Sequence, residues 1–335
     1  MTVRVAINGF GRIGRLALRA LAESGRNDVS VVAINGHGTP ADNEYMLKYD
    51  SVHGVFAHDV VIDGDLLKTA GQTVKMIIED NPAKLPWKDL GVDVVFECTG
   101  KYNSRDKAAV HLEAGAKRVL VSAPADGADL TVVYGVNHDQ LTASHKVVSN
   151  GSCTTNCLAP VAKVLQDLAG IEHGFMTTIH SYTRDQHTVD TRHKDHRRGR
   201  AAAVSMIPTS TGAAKAIGLV IPELAGKLDG SSIRVPTPNV SVVDLAVVTK
   251  RPVTKDEINQ AMLAAAAGPM KGVLGVNKDE CVSVDFNHNP ISSVYDLTQT
   301  KVIDGTFVRV LAWYDNEWAF SCRMLDVAAA LGKLG

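Results

Sequence analysis

A chain of 335 residues, 45% of them hydrophobic, has enough apolar material for about two domains with cores of their own. Its formal charge of −1 excludes bulk electrostatic attraction to nucleic acid or an anionic membrane. An odd set of five cysteines (Cys98, Cys153, Cys157, Cys281, Cys322) fits a reducing, cytoplasmic setting better than a disulfide-stapled secreted scaffold.

In chain order, "VRVAINGF" predicts a strand entered at once, without the flanks of a signal peptide. No uncharged apolar stretch reaches the roughly 18 residues of a membrane span. The apolar spacing of "RLALRALAESG" predicts a helix, and "VSVVAIN" a second strand. Then come "VDVVFECTG", a helical "SRDKAAVHLEAGA", "RVLVSAP" and "HKVVSN". Near-continuous apolar strands alternating with helices imply a parallel sheet covered on both faces. Residues 1–151 are therefore expected to form a doubly wound α/β (Rossmann) domain.

The first turn, Gly9-Phe10-Gly11-Arg12-Ile13-Gly14, fits G-x-G-x-x-G between a strand and a helix. Missing Cβ atoms let the backbone approach a pyrophosphate, and the helix N-terminus offers free N–H groups. Dinucleotide binding is the expectation. At the end of "VVAINGHG", however, Gly36 follows Asn35 where an NAD site carries a carboxylate for the ribose hydroxyls.

Residues 152–316 read as an α+β domain with a mostly antiparallel sheet. "CLAPVAKVLQDLAG" predicts a helix, "GFMTTIHSY" a strand, and Thr254 with Glu257 a capping box. "VSVVDLAVVTK", "CVSVDF", "SSVYDLTQTKV" and "FVRVLAW" are expected strands, and 317–335 a terminal helix packing back on the first domain. Between them, the basic run "RHKDHRRGR" reads as a solvated face or subunit contact, since no aromatics are interleaved with its charges.

In "NGSCTTNC", Cys153 stands where a helix begins, a position that lowers a thiol pKa. A disulfide with Cys157, a zinc site and an inert buried thiol are the competing readings. A nucleophilic thiol needs a base within reach. His180, at the end of "TTIHSYT", is the leading choice among 12 histidines, with His187, His193 and His196 in a polar loop.

Together, "INGFGRIGR", "LKYDSVHG", "ECTG", "SNGSCTTNC", "TTIHSYT", "IPTSTGAAKA", "IRVPTPNVSVVDL" and "WYDNEW" resemble phosphorylating glyceraldehyde-3-phosphate dehydrogenases over essentially the whole chain. The resemblance implies Cys153 as nucleophile and His180 as base. It implies that Thr183 and Arg234 hold the substrate's phosphate, with Asp185 orienting that site. Ser152, Thr154, Thr211 and Gly212 would receive inorganic phosphate, bridged by Arg198. Gly9, Phe10, Gly11, Arg12, Ile13, Asn35, Thr99 and Ser122 would line the cofactor groove, with Asn316 on the nicotinamide amide. No metal is implied. The partners implied are glyceraldehyde 3-phosphate, inorganic phosphate and three further copies of the chain, the 181–205 loop meeting a neighbour.

Four positions depart from the usual pattern: Gly36, Asp80, the pair Thr191 and Arg192, and Gly151. Gly36, Thr191 and Arg192 favour tolerance of NADP, whereas the Asp80 carboxylate would repel a 2′-phosphate. NAD is the expected cofactor, with NADP as a second. The alternative activity is that of an erythrose-4-phosphate dehydrogenase, which tends to lack the threonines of "SYT" and "TSTG".

Overall fold

The structure, a computed structural model, describes residues 2–334. Met1, where the first domain was expected to start, and Gly335, the expected end of the last helix, lie outside the described residues. Two compact units are present: one runs to Ser152 and resumes at Phe320, and the other is Cys153–Ala319.

The first unit is built on a nine-stranded sheet. Its order is Leu130–Thr131, Val147–Ser149, Arg118–Val121, Val94–Glu97, Val3–Asn8, Val29–Asn35, Gln72–Ile77, Leu66–Thr69, Val61–Asp63. Pairing is parallel from Leu130–Thr131 as far as Gln72–Ile77 and antiparallel for the last two strands. The chain leaves Val3–Asn8 for one side of the sheet and later adds Val94–Glu97 on the other. That reversal opens a crevice at the carboxyl ends of these strands, the position where open α/β sheets take ligands. Asn8, Asn35 and Glu97 end the strands bordering it. The helix Arg12–Ser24 covers the sheet with buried Leu16, Leu18 and Leu21. Near the other end of the chain, Arg26 Nη1 donates to Asp326 Oδ1 at 2.8 Å, on the helix Trp318–Gly332.

One expectation here needs correction. "SRDKAAVHLEAGA" forms two short helical turns, Arg105–Ala108 and Val110–Glu113, rather than one helix. The segment 39–77 holds a helix at Pro40–Lys48 and the last strands of the sheet, two of them antiparallel.

The second unit has an eight-stranded, mostly antiparallel sheet: Ile207–Ser210, Leu228–Val235, Ile171–Ser181, Ser241–Thr249, Phe307–Tyr314, Ser293–Asp296 and Leu274–Asn277, with Lys301–Ile303 also on Phe307–Tyr314. The long helix Cys153–Ala169 packs on Ser293–Asp296 and Phe307–Tyr314 through buried Leu158, Val161 and Leu165. The capping box is present: Glu257 N–H donates to Thr254 Oγ1 at 3.2 Å, and Thr254 N–H to Glu257 Oε2 at 2.8 Å. "CVSVDF" is not a strand. Ser283–Phe286 is a 3-10 turn whose Val284 faces solvent, so the apolar alternation there had no sheet face to fill. "SSVYDLTQTKV" is interrupted by a second 3-10 turn at Leu297–Gln299.

Candidate active site

Cys153 is the first residue of its helix, so its sulfur lies beside unpaired first-turn N–H groups. His180 is on the strand Ile171–Ser181, which pairs in parallel with Leu228–Val235 so that His180 sits opposite Arg234. His180 Nε2 is 3.5 Å from Cys153 Sγ. Its other ring nitrogen, Nδ1, is 2.7 Å from the Ser181 carbonyl oxygen. Arg234 Nη1, a donor only, lies 3.2 Å from the same Nδ1, but the carbonyl is closer and also takes the Arg234 N–H. A carbonyl only accepts, so Nδ1 carries the proton and Nε2 turns its lone pair towards the sulfur. Arg234 Nη1 donates to the same carbonyl at 2.9 Å and to Thr183 Oγ1 at 2.9 Å.

Burial, then the Arg234 charge, pushes the His180 imidazole down to about 3. Burial also raises the Cys153 thiol, against the lowering expected of a helix N-terminus; the Arg234 charge and the Thr154 hydroxyl and N–H oppose that rise. A lone ion on either atom is therefore costly. Moving the proton from Sγ to Nε2 instead sets opposite charges 3.5 Å apart, an attraction of about 5 kcal/mol at an effective dielectric of about 20. Thiol and imidazole thus titrate as a pair, and the thiol is more acidic than burial alone would leave it. Cys157, one turn on, has the Ser293 hydroxyl at 3.6 Å as its side-chain partner, with no arginine or imidazole against it among the described residues. Burial drives its thiol far up, and its sulfur lies 3.6 Å from the Ala312 carbonyl. None of the five cysteines is in a disulfide.

Around this pair lies a cluster suited to anions. Thr183 donates its hydroxyl to Asp185 Oδ1. Arg198 Nη1 reaches Asp185 Oδ2 at 2.6 Å, and its Nε donates to Thr209 Oγ1 at 2.9 Å. Burial raises the Asp185 carboxyl, but the Thr183 hydroxyl and the charges of Arg234 and Arg198 outweigh it and hold the group ionised. Arg234 Nε is buried with no hydrogen-bond partner among the described residues. An unmet guanidinium donor is expensive in a folded protein and marks a place for an acceptor. Thr211 and Gly212 open the helix Ala213–Val220, two and three residues past Thr209; Thr211 Oγ1 accepts from Ala213 N–H at 3.2 Å. Among the described residues neither touches the Arg198 cluster directly.

Thr154, expected at the inorganic phosphate, is the second residue of the helix Cys153–Ala169. Its Oγ1 is 2.9 Å from Tyr314 OH, which is 2.8 Å from Thr178 Oγ1. The buried hydroxyl thus serves both Tyr314 and the Cys153 thiol, and the backbone N–H is a further donor at the helix start. Asn316 has its carbonyl oxygen held by Ser181 Oγ at 2.8 Å and Ser241 Oγ at 2.9 Å, which fixes the direction of its NH₂. Asp315 Oδ1 in turn accepts from the N–H groups of Glu317 and Trp318. Tyr314, Ser181, Ser241, Thr209 and Asp195 were not found in the sequence. They come from separate strands and loops, and no local pattern links them to Cys153.

In the first unit the glycine turn is shaped as a dinucleotide requires. Gly9 has φ 100°, and a Cβ there would lie 2.7 Å from Thr99 N. A Cβ on Gly14 would lie 2.3 Å from Gly9 O, so the helix can seat this close to the strand only as glycine. Gly11 is the N-cap of Arg12–Ser24 and contributes no side-chain bond, leaving the helix N–H groups open to an anion. Phe10 is buried and Ile13 half-buried beside it. Arg12 pairs with Asp50, whose Oδ1 also accepts from Val52 and His53 N–H at 2.9 Å. Asn35, Thr99 and Ser122 lie at the strand ends bordering the crevice: Ser122 N–H donates to the Glu97 carbonyl at 3.0 Å. Ser152, the last residue of the first unit before its gap, is half-buried. The residues present fit NAD.

Comparison with known proteins agrees with this geometry. The family model for the glyceraldehyde 3-phosphate dehydrogenase C-terminal domain matches residues 152–316, and that for the NAD binding domain matches residues 3–105. A glyceraldehyde-3-phosphate dehydrogenase of Xanthobacter flavus is 66% identical over 335 residues, covering 100% of both chains. The chain belongs to the glyceraldehyde-3-phosphate dehydrogenase family. A glyceraldehyde-3-phosphate dehydrogenase of Cereibacter sphaeroides is 62% identical over 334 residues, and glyceraldehyde-3-phosphate dehydrogenase 1 of Bacillus subtilis 52% over 336, each at 100% coverage of both chains. The matched NAD binding domain of the family holds the glycine turn, and the matched C-terminal domain holds the cluster around Cys153.

Proposed function

We propose that the chain oxidises glyceraldehyde 3-phosphate with NAD and inorganic phosphate to 1,3-bisphosphoglycerate through a thioester on Cys153. It is an NAD-dependent oxidoreductase of its family. The observation that carries the mechanism is the Cys153–His180 pair at 3.5 Å, with the imidazole tautomer fixed by Ser181.

Cys153 Sγ adds to the aldehyde carbon, giving a hemithioacetal, and Nε2 of His180 takes the hydroxyl proton as the carbonyl re-forms. General-base help of this kind is worth about 10²–10⁴-fold. NAD, when bound, supplies the hydride acceptor. The thioester left on Cys153 is then attacked by inorganic phosphate, and the thiolate leaves. Arg234 and Thr183 are suited to the substrate's phosphate, with Asp185 orienting both. Arg198, Thr211, Gly212, Ser152 and the Thr154 N–H are suited to the inorganic phosphate. Gly9, Phe10, Gly11, Arg12, Ile13, Asn35, Thr99 and Ser122 would hold the dinucleotide, and the oriented NH₂ of Asn316 its nicotinamide amide.

The functional domains in this reading are 1–151 with the terminal helix, and 152–316. The setting is the cytoplasm and the working form a homotetramer. NAD is the main cofactor and NADP the second; at Gly36 a Cβ would lie a tight 3.1 Å from Phe10 Cβ, and no carboxylate stands there to repel a 2′-phosphate. The erythrose 4-phosphate alternative is not favoured, because Thr183 and Thr211 are both present. Steady-state kinetics on both aldehyde phosphates, with and without inorganic phosphate, test the reading. Preference for erythrose 4-phosphate, or turnover indifferent to phosphate, would overturn it.

A further inference from the structure

Glu97 ends the strand Val94–Glu97 and is 1% exposed, yet the mechanism makes no use of it. A buried carboxylate is costly unless its oxygens are saturated with donors. Here they are. Oε1 accepts from Thr99 N–H at 2.8 Å and from the Thr99 hydroxyl. Oε2 accepts from Asn8 Nδ2 at 2.7 Å and lies 3.0 Å from His111 Nε2. Trp87 Nε1–H donates to His111 Nδ1 at 3.1 Å, so Nδ1 is the acceptor and Nε2–H points at the carboxylate. On the other side, Asn8 Oδ1 accepts from Asn35 Nδ2 at 2.8 Å. Asn35 in turn binds Glu79 through both ends of its amide, at 3.0 and 2.9 Å.

One hydrogen-bonded chain therefore crosses the carboxyl ends of three strands that border the crevice. It ends on the Cys98–Thr99 turn, whose backbone lies so close to Gly9 that a Cβ would not fit. A side chain serving only to fill this space would not need four donors arranged about a charge.

We propose that Glu97 is a positioning residue for the cofactor: its carboxylate holds Thr99 and Asn8 so that the turn and the glycine loop keep the spacing NAD requires. The proposal rests on the reading of that crevice as the NAD site. Glu97→Gln keeps the shape but replaces one acceptor with an NH₂. Whichever way the amide turns, that NH₂ faces two donors, either Asn8 and His111 or the Thr99 N–H and hydroxyl. The lock is released in both cases.

The test is NAD affinity by calorimetry, with amide hydrogen exchange at Cys98–Thr99 in NAD-free protein and kcat at saturating NAD. Glu97→Gln is expected to weaken NAD binding about tenfold, speed exchange at Thr99, and leave kcat within about twofold. Thr99→Val removes only the hydroxyl end of the network and leaves the buried Glu97, His111 and Asn8 together. It is expected to weaken NAD binding by a smaller factor. Because Thr99 itself borders the cofactor groove, faster amide exchange at Cys98–Thr99 in the NAD-free protein is the readout that carries the test should Glu97→Gln fail to fold. NAD binding unchanged within about twofold in a folded Glu97→Gln protein, or exchange at Cys98–Thr99 unchanged in Thr99→Val if only that folds, overturns the proposal. A fall in kcat with NAD affinity intact also overturns it. Absence of NAD binding by the unmodified chain would instead sink the reading of the crevice.

Discussion

Replacing His180 with Asn removes the proposed base while keeping a side-chain amide near the Ser181 carbonyl. In the folded protein the imidazolium and thiolate would attract across 3.5 Å by about 5 kcal/mol at an effective dielectric of about 20, equivalent to roughly 3.5 pKa units. Cys153 is half-buried, so water screens part of this, and halving leaves about two units. Arg234 and the Thr154 hydroxyl and N–H stay in place and keep the thiol below the level of Cys157. In His180→Asn the pH midpoint for alkylation of Cys153 by iodoacetamide should therefore rise by about two units. kcat should fall by about 10²–10⁴-fold. The assay is the alkylation rate of NAD-free protein as a function of pH, followed by peptide mapping. A midpoint unchanged within a few tenths of a unit would refute the coupling between sulfur and imidazole.

Further predictions concern other parts of the molecule. Burial would raise the Asp50 carboxyl, but Arg12 and the N–H groups of His53 and Val52 hold it down at about 2. Its stabilisation is complete above the unfolded value of about 3.9 and is lost as pH falls through about 2. Asp50→Asn should thus cost about 1–2 kcal/mol by urea unfolding at neutral pH, with the difference from the unmodified chain shrinking towards pH 2. Tyr314→Phe strands the hydroxyls of Thr154 and Thr178 and should cost about 2–3 kcal/mol. Adding Thr178→Val should cost less than the sum of the two single changes, since the pair share one network. Asp80 lies 3.7 Å from His37, next to the Gly36 position. Asp80→Asn should raise kcat/KM for NADP relative to NAD several-fold, and an unchanged ratio would remove Asp80 from the specificity argument.

The sequence was most informative where one local rule acted alone. A β-branched run ending in glycines forced Val3–Asn8 and its turn, and Thr254 with Glu257 marked a helix start. It was least informative where pattern and packing disagreed. Val282 and Val284 alternate with polar residues as a strand would, but both face solvent from a turn. The strands Val61–Asp63, on the sheet edge, and Leu66–Thr69, next to it, are too brief to show a period. In the site, Cys153 and His180 stood out because each adjoins an element boundary rich in hydroxyls. Tyr314 and Ser241 did not, because only the pairing of Ser241–Thr249 with Phe307–Tyr314 brings them into the site.

The thioester is the central claim, and trapping it tests the claim directly. Protein incubated with glyceraldehyde 3-phosphate and NAD without phosphate, quenched in acid and digested, should carry a 3-phosphoglyceroyl group on the peptide containing Cys153. Added phosphate should discharge that group before the quench. An unmodified Cys153 peptide, or the same group on the peptide containing Cys281, would contradict the account.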